Sequence, residues 1–356
     1  MIILKKVLSL LLVLCITIGI FGVTATAADN SAVVEAATAK LRKIDTDGNG
    51  SITTADASQF LKAAAGIIDT SDVDYDFDAD GTVSVLDAQK VLRVVAGVDS
   101  ALTQEEALAL FNEGLDSVKT IRPGFEKTAT MVCPSIKVTT MNAPISSMNV
   151  TNLEFDQYVE KIIKLMNTFP YNMALNEEMK AQLEQMRVEA NEAYEPQVTT
   201  KTVAKASSSH YTYFPVNNLG WSSRLTLADI KSISCTIENG NLVYTLKMND
   251  CTYVGDEYPT GAAGFAKRQA LPYGKIFNIP AFDESDGSTV NKVTFKNGTV
   301  IYKQDYTTGD SLYVDYTYSY VIDMTAAPQE DSDLVMKTVT TSNTNENYVM
   351  NRVTVK

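Results

Sequence analysis

The sequence predicts a mixed α+β protein in which a small all-α module precedes a larger domain, built from an antiparallel, curved β-meander packed against helices. Two observations predict this architecture. An acidic segment occurs twice, at 45–56 and 76–87, and apolar residues at helical spacing follow each copy. After residue 102, helical patterns come first, and alternating strands with Asn-Gly turns come later.

The N-terminal residues 1–27 have the pattern of a secretory signal peptide. Lys5 and Lys6 precede an apolar run over 7–23, and Ala25-Thr26-Ala27 supplies a small-residue cleavage site. A retained membrane anchor is the alternative, because the apolar run approaches the length that spans a bilayer. We expect a secreted protein in an extracellular or cell-surface complex, without membrane contact once the signal is cleaved.

Residues 28–40 form a segment rich in alanine that is predicted to be helical. Val33, Val34, Ala37 and Leu41 fall on one face of a helix over 31–43. We expect this face to pack against the module that follows, over 41–98. The segment could cap that module, or it could make the first copy a full helix-loop-helix.

The repeated acidic segment has the register of a calcium-binding loop. Such loops place oxygen ligands at positions 1, 3, 5, 7, 9 and 12, and a glycine at position 6 makes the sharp turn. Gly50 and Gly81 stand at position 6, so each loop predicts one bound Ca²⁺. The candidate ligands are Asp45, Asp47, Asn49, Ser51, Thr53 and Asp56 in the first loop, and Asp76, Asp78, Asp80, Thr82, Ser84 and Asp87 in the second.

Each loop leads into a predicted helix that ends at a glycine, and position 12 is Asp instead of the common Glu. The predicted apolar faces are Ala57, Phe60, Leu61 and Ala64, and Ala88, Val91, Leu92 and Val95. This duplicated loop and exiting helix resembles the dockerin domain over about 41–98. The resemblance implies calcium-dependent binding to a cohesin module of a scaffoldin-type protein, in a cellulosome-like complex that degrades polysaccharide. A structural calcium-binding protein without a cohesin partner is the alternative.

The resemblance also implies a docking surface at loop positions 10 and 11 and further along each helix. Carried over by position, the surface residues are Thr54, Ala55, Lys62, Val85, Leu86 and Arg93. The second copy is apolar at positions 10 and 11, where the first is small and more polar. This difference favours one docking orientation with Val85 and Leu86 as anchors. The alternative is that Val85 and Leu86 pack inside the module.

The larger domain, over 103–356, is predicted to begin at a helix capped by Thr103 and Glu106. Asn239-Gly240 and Asn297-Gly298 are predicted as the turns of two hairpins. Further helices are predicted over 153–169 and 177–194, and strands over 136–141, 197–204, 232–238, 241–248, 292–296, 299–306, 311–324, 333–341 and 348–355.

One face of the predicted strand 311–324 is rich in tyrosine. An exposed row of tyrosines would offer sugar rings a stacking platform, but a sheet core is favoured because Val, Ile and Met share that face. The residues of this face are Val314, Tyr316, Tyr318, Tyr320, Ile322 and Met324.

The larger domain shows no recognisable catalytic signature, so its catalytic residues are unknown. His210 is the only histidine, predicted in a loop or strand, and no Gly-x-Ser-x-Gly elbow or phosphate-binding loop accompanies it. Two classes stay open: a non-catalytic binding or structural module, which we favour, and a polysaccharide-degrading enzyme that hydrolyses O-glycosyl bonds with paired carboxylates. The candidate acids are Asp256, Glu257, Asp283, Glu284, Asp286, Asp315 and Asp323.

The net charge bears on the class of partner, and the cysteines bear on the disulfide state. A formal net charge of -13 argues against a nucleic-acid partner, whose phosphates require basic surfaces, whereas a polysaccharide partner is compatible with it. Cys133, Cys235 and Cys251 lack metal-ligand spacing. Both a Cys235–Cys251 disulfide and three buried thiols are consistent with the sequence.

Overall fold

The computed structural model describes residues 31–71, 73–168, 171–327 and 333–350. The predicted signal peptide lies outside these ranges. Within them, every helix is too short or too polar to cross a membrane. The described chain combines helices with one large antiparallel sheet, which confirms the α+β class.

Four helices come first, and three of them begin at capping boxes. The predicted helix over 31–43 is confirmed as α1, which buries Ala37 and Leu41. Thr53, Ser84 and Thr103 are the N-caps of the next three helices. The helices are α1 (Ser31–Ile44), α2 (Thr54–Ala64), α3 (Val85–Val95) and α4 (Gln104–Ile121).

The larger part of the chain alternates helices with the sheet strands. The predicted helices over 153–169 and 177–194 are confirmed within a few residues as α5 (Phe155–Met166) and α6 (Glu177–Glu192), and two single-turn helices follow, α7 (His210–Tyr213) and α8 (Phe265–Arg268). The strands are β1 (Phe125–Met141), β2 (Val150–Glu154), β3 (Gln197–Val203), β4 (Ile230–Glu238), β5 (Asn241–Met248), β6 (Cys251–Val254), β7 (Thr289–Asp305), β8 (Ser311–Thr325) and β9 (Val335–Met350).

The strand order across the sheet is β2-β1-β9-β8-β7-β5-β4, with β3 also paired to β1 and β6 to β7. All of these pairs are antiparallel. The strands β4, β5, β7, β8 and β9 therefore form a meander, and β1 pairs with its last strand, β9. The curvature of this sheet stays a prediction.

Two buried apolar clusters lie against the sheet. The tyrosine-rich face of β8 is buried, from Val314 (0% exposed) to Met324 (8%), so the predicted core assignment is confirmed and a tyrosine platform for sugars is excluded there. This cluster extends from helices α1–α4 into the sheet, whereas α5 and α6 form a separate cluster on β1 and β2. The boundary between a module over 41–98 and a domain over 103–356 stays a prediction.

The predicted hairpin at Asn297-Gly298 is wrong, because β7 runs straight through these residues. They form a bulge, where the pairing with β8 shifts between Lys296 and Thr299. The Asn297 amide donates to Asp250 Oδ1 (3.1 Å) and the Gly298 amide to Tyr273 Oη (3.0 Å). These tertiary contacts satisfy the two amide donors that the bulge leaves outside the pairing of β7 with β8.

Two further strand predictions are corrected at the other edge of the meander. The segments 333–341 and 348–355 were predicted as separate strands, but β9 is continuous over Val335–Met350, and residues 351–355 lie outside the described chain. The strand stays unbroken because β1 and β8 pair with it along its whole length. Similarly, the predicted strand 136–141 is only the end of β1.

The predicted apolar faces of α2 and α3 are partly wrong. Leu61 and Leu92 are 49% and 46% exposed, whereas Ala63 and Val94 are buried in their place. The buried stripe is rotated because each helix begins with a buried aspartate, so the face that contains position 12 points inward. The two helices consequently display large apolar side chains to solvent.

Candidate metal centre

Both acidic loops gather carboxylate oxygens around one point. Atoms of Asp45, Asp47 and Asp56 lie within 4.8 Å of one another, as do atoms of Asp76, Asp78 and Asp80. Oxygen ligands of this kind suit hard cations such as Ca²⁺ and Mg²⁺. The two clusters could therefore each hold a metal ion.

The loop backbones follow the same path in both copies. Residues at positions 4 and 6 have positive φ, namely Gly48 (66°) and Gly50 (80°), and Ala79 (58°) and Gly81 (87°). The carboxylate at position 1 accepts the amide at position 6 in each loop, over 2.9 Å from Gly50 to Asp45 and 2.9 Å from Gly81 to Asp76. Each loop therefore forms the tight turn that the calcium-loop register predicts, and a hydrogen bond within the loop holds that turn.

Position 12 has two structural tasks in each loop. Asp56 accepts from the Thr53 amide (2.7 Å), which closes the capping box of α2, and from the Thr46 amide (2.9 Å), which holds the start of the loop. Asp87 does the same with Ser84 (2.8 Å) and Phe77 (2.7 Å). Both aspartates are fully buried. Thr53 and Ser84, at position 9, are thereby fixed as helix caps.

The first loop is packed against the sheet. Asp45 is 5% exposed, and burial raises its pKa, with the charges of Asp56 and Asp47 acting in the same direction against the Gly50 and Asn49 amides. Such crowding of negative charge is relieved when a cation binds. A groove of about 550 Å³ lies between α1, α4 and the β7–β8 turn, and Asp45 is one of the residues that line it.

The second loop is more exposed to solvent, and the ammonium group of a lysine pairs with one of its carboxylates. Lys90 Nζ lies 2.7 Å from Asp78 Oδ2 and lowers the pKa of this carboxyl. The corresponding residue of the first copy is Gln59. Lys43, at the end of α1, pairs with Asp74 (2.7 Å) just before the second loop. The two loops therefore have similar candidate ligands but different electrostatic surroundings.

The six predicted docking residues are all exposed. Val85 and Leu86 are 62% and 56% exposed at the start of α3, so they do not pack inside the module. Thr54, Ala55, Lys62 and Arg93 lie at the surface of α2 and α3. Arg93 is held by a bidentate ion pair with Asp99. Their role toward a partner stays a prediction.

The candidate acids of the larger domain have local structural partners. Glu284 accepts from Thr260 Oγ1 (2.6 Å) and from the Val290 amide (2.6 Å). Asp315 and Asp323 lie on the polar face of β8, eight residues and therefore roughly 26 Å apart. Paired glycosidase carboxylates stand about 5–10 Å apart, so this pair is unsuitable. Asp283, Asp286 and Glu257 accept from nearby backbone amides, and Asp256 is exposed.

The lone histidine and the cysteines also have structural positions. His210 is buried at the start of α7, where its ring nitrogens face the carbonyl oxygens of Ser207 and Pro123, so its predicted place in a loop or strand is wrong. Cys133, Cys235 and Cys251 are free thiols, which decides against the disulfide.

A polar stripe on α4 was missed by the sequence analysis. Asn112, Asp116 and Lys119 recur at the spacing of one helix face and bind the loop over 216–225. Lys119 Nζ donates to the carbonyls of Val216 (2.7 Å), Leu219 (2.9 Å) and Trp221 (2.7 Å). Burial lowers the pKa of Lys119 to about 7, while the charge of Asp116 opposes the shift. The spacing of these three polar residues along one helix face was the available signal.

The fold and the two acidic clusters define a class of site, a pair of helix-linked loops whose oxygen atoms could hold metal ions. Comparison of the chain with models of protein families gives no match. Comparison with curated proteins gives no match either.

Proposed function

We propose that this protein is a secreted component of a cellulosome-like, polysaccharide-degrading complex, which it joins through a calcium-dependent, dockerin-like module. The duplicated loop carries this proposal, because two copies of one ligand register each end in a helix with an exposed face. The ligand set consists of carboxylate, amide, hydroxyl and carbonyl oxygens, which favours two Ca²⁺ ions. The partner is a cohesin module of a scaffoldin-type protein.

The larger domain serves the complex as a non-catalytic binding or structural module. The tyrosines of β8 are buried, and most of the candidate acids accept hydrogen bonds from the protein itself, both of which support this role over that of a glycoside hydrolase. A panel of polysaccharides tests it, with pull-down and reducing-sugar release scored separately. Release of sugar by the full chain would contradict a non-catalytic role.

A structural calcium-binding role without a cohesin partner has one observation in its favour. The first loop contacts the sheet of the same chain, where the Ser51 hydroxyl accepts the Gly240 amide at 3.1 Å. A calcium ion there would stabilise the protein whether or not a partner binds.

The docking proposal predicts that Val85→Asp with Leu86→Asp weakens cohesin binding at least about 30-fold, as expected when central apolar anchors are lost. These residues occupy the first turn of α3, where aspartate interacts favourably with the helix dipole, so the helix is expected to stay folded. Calorimetry against a cohesin panel measures the binding, and calcium titration of the same variant verifies the loops.

The matched control for docking is Leu227→Asp with Val254→Asp, because these apolar residues are similarly exposed but lie outside the module. The control should bind cohesin like the unmodified chain. If the unmodified chain binds two calcium ions and none of the cohesins, the purely structural alternative is the correct one.

The calcium proposal predicts that Lys90→Gln tightens ion binding in the second loop several-fold at low salt. The Lys90 ammonium pairs with the Asp78 carboxylate and repels an incoming cation. Glutamine occupies the corresponding position of the first copy. The effect should shrink as ionic strength rises. Calorimetry in an Asp47→Ala background, which disables the first loop, isolates the second site. Lys62→Gln, an equal charge change at an exposed position of α2, should leave that affinity unchanged.

A further inference from the structure

The first acidic loop belongs to a chain of contacts that ends in the sheet. The amide of Gly240, in the turn between β4 and β5, donates to Ser51 Oγ at 3.1 Å. The carbonyl of Gly240 accepts from the amide of Tyr306, just after β7, at 3.0 Å. Loop, hairpin turn and strand end are therefore connected through the backbone N–H and C=O of one residue, Gly240.

Close packing accompanies these hydrogen bonds. A Cβ added to Gly50 would lie 3.3 Å from Tyr306 Cδ1 and 3.4 Å from Thr307 Oγ1. Gly50 occupies position 6, and Ser51 occupies position 7, whose backbone carbonyl is the ligand in this register. Ser51 thus has its carbonyl in the ligand set while its hydroxyl binds the sheet.

The second loop lacks this connection among the described residues. A Cβ on Gly81, its position 6, would meet nothing within 4 Å, and Thr82, its position 7, is exposed. The two loops share one ligand register, but within the described part of the chain only the first loop contacts the sheet at positions 6 and 7. Ion binding should restrict the backbone of both loops, but only the first can pass that restriction to the sheet.

We propose that the first loop is a calcium-dependent joint between residues 31–98 and the sheet, whereas the second loop binds its ion independently of the sheet. This inference rests on the proposed calcium binding. An ion that fixes residues 49–51 holds the Ser51 hydroxyl in place for the Gly240 amide. Because coupling between two events is reciprocal, the contact with Gly240 must in turn strengthen ion binding in the first loop.

Hydrogen exchange of two amides tests the joint directly in the chain from residue 28 onward. The amides of Gly240 and Tyr306 should exchange at least ten-fold more slowly with calcium than with a chelator, because local opening of the joint becomes rarer. The Gly298 amide, bound to Tyr273 Oη in the β7 bulge, is the internal reference and should not respond.

Disabling one loop at a time shows which ion is responsible. Asp47→Ala alters an exposed ligand of the first loop and should remove the calcium response at Gly240 and Tyr306. Asp78→Ala alters the matching ligand of the second loop and should leave the response intact. A response that persists in Asp47→Ala, or disappears in Asp78→Ala, would overturn the assignment of the joint to the first loop.

Ser51→Ala and Thr82→Ala form a matched pair at position 7, since both keep the ligand carbonyl. In calorimetry, Ser51→Ala should weaken calcium binding in the first loop several-fold more than Thr82→Ala weakens it in the second loop. Equal effects of the two substitutions, or unchanged exchange at Gly240 when calcium binds, would refute the joint alone. Absence of any calcium binding would instead refute the proposed function itself.

Discussion

Asp56→Ala is expected to destabilise the calcium-free protein by about 3 kcal/mol and to weaken calcium binding in the first loop on the order of 100-fold. The buried carboxylate accepts from the amides of Thr46 and Thr53, and alanine leaves both donors without a partner. Relief of repulsion with Asp45 offsets part of the loss. Denaturant unfolding in chelator measures the first effect, and calorimetry measures the second.

Asp47→Ala separates the two roles of the loop carboxylates. Asp47 is exposed and bonds only within the loop, to Asn49, so its removal should change the stability of the calcium-free protein by no more than about 0.5 kcal/mol. Calcium affinity should still fall. If Asp56→Ala and Asp47→Ala destabilise the calcium-free protein equally, position 12 has no capping role of the size inferred here.

The loops could be predicted from the sequence because their information is local. Ligand positions, the glycine at position 6 and the helix that follows all lie within a few residues of one another. The capping role of position 12 was also readable, since Thr53 and Ser84 each stand three residues before an aspartate. This capping role is easily overlooked in the sequence, because the same residues also match the calcium-loop register.

Contacts between distant segments could not be predicted in this way. Ser51 and Gly240 are 189 residues apart, and nothing local marks either residue for the other. The two Asn-Gly pairs show the same limit: 239–240 turns a hairpin, as predicted, whereas 297–298 forms a bulge. The dipeptide permits positive φ in both cases, and the surrounding groups, Asp250 and Tyr273 at the bulge, decide how it is used.

Lys119→Met is the substitution with the largest expected cost in the larger domain, about 3–5 kcal/mol. The side chain is 1% exposed, and its ammonium is the donor for the carbonyls of Val216, Leu219 and Trp221. Methionine fills a similar volume but leaves two buried oxygens and one partly buried oxygen without that donor. Denaturant unfolding at pH 7, followed by the fluorescence of Trp221, measures the loss.

The same lysine gives the protein a specific dependence on pH. Its pKa is about 7 in the folded chain and about 10.4 in an unfolded one, so between these values the folded state binds fewer protons. Stability from this group therefore rises with pH above 7, by about 2 kcal/mol between pH 7 and pH 9, and is lowest where the buried ammonium is charged in both states. Lys119→Met abolishes this rise while every other titrating group is retained. The difference in unfolding free energy between the unmodified chain and Lys119→Met should consequently grow from pH 7 to pH 9. A constant difference would mean that the three carbonyls keep Lys119 protonated throughout, and that burial of the charge is fully compensated by their hydrogen bonds.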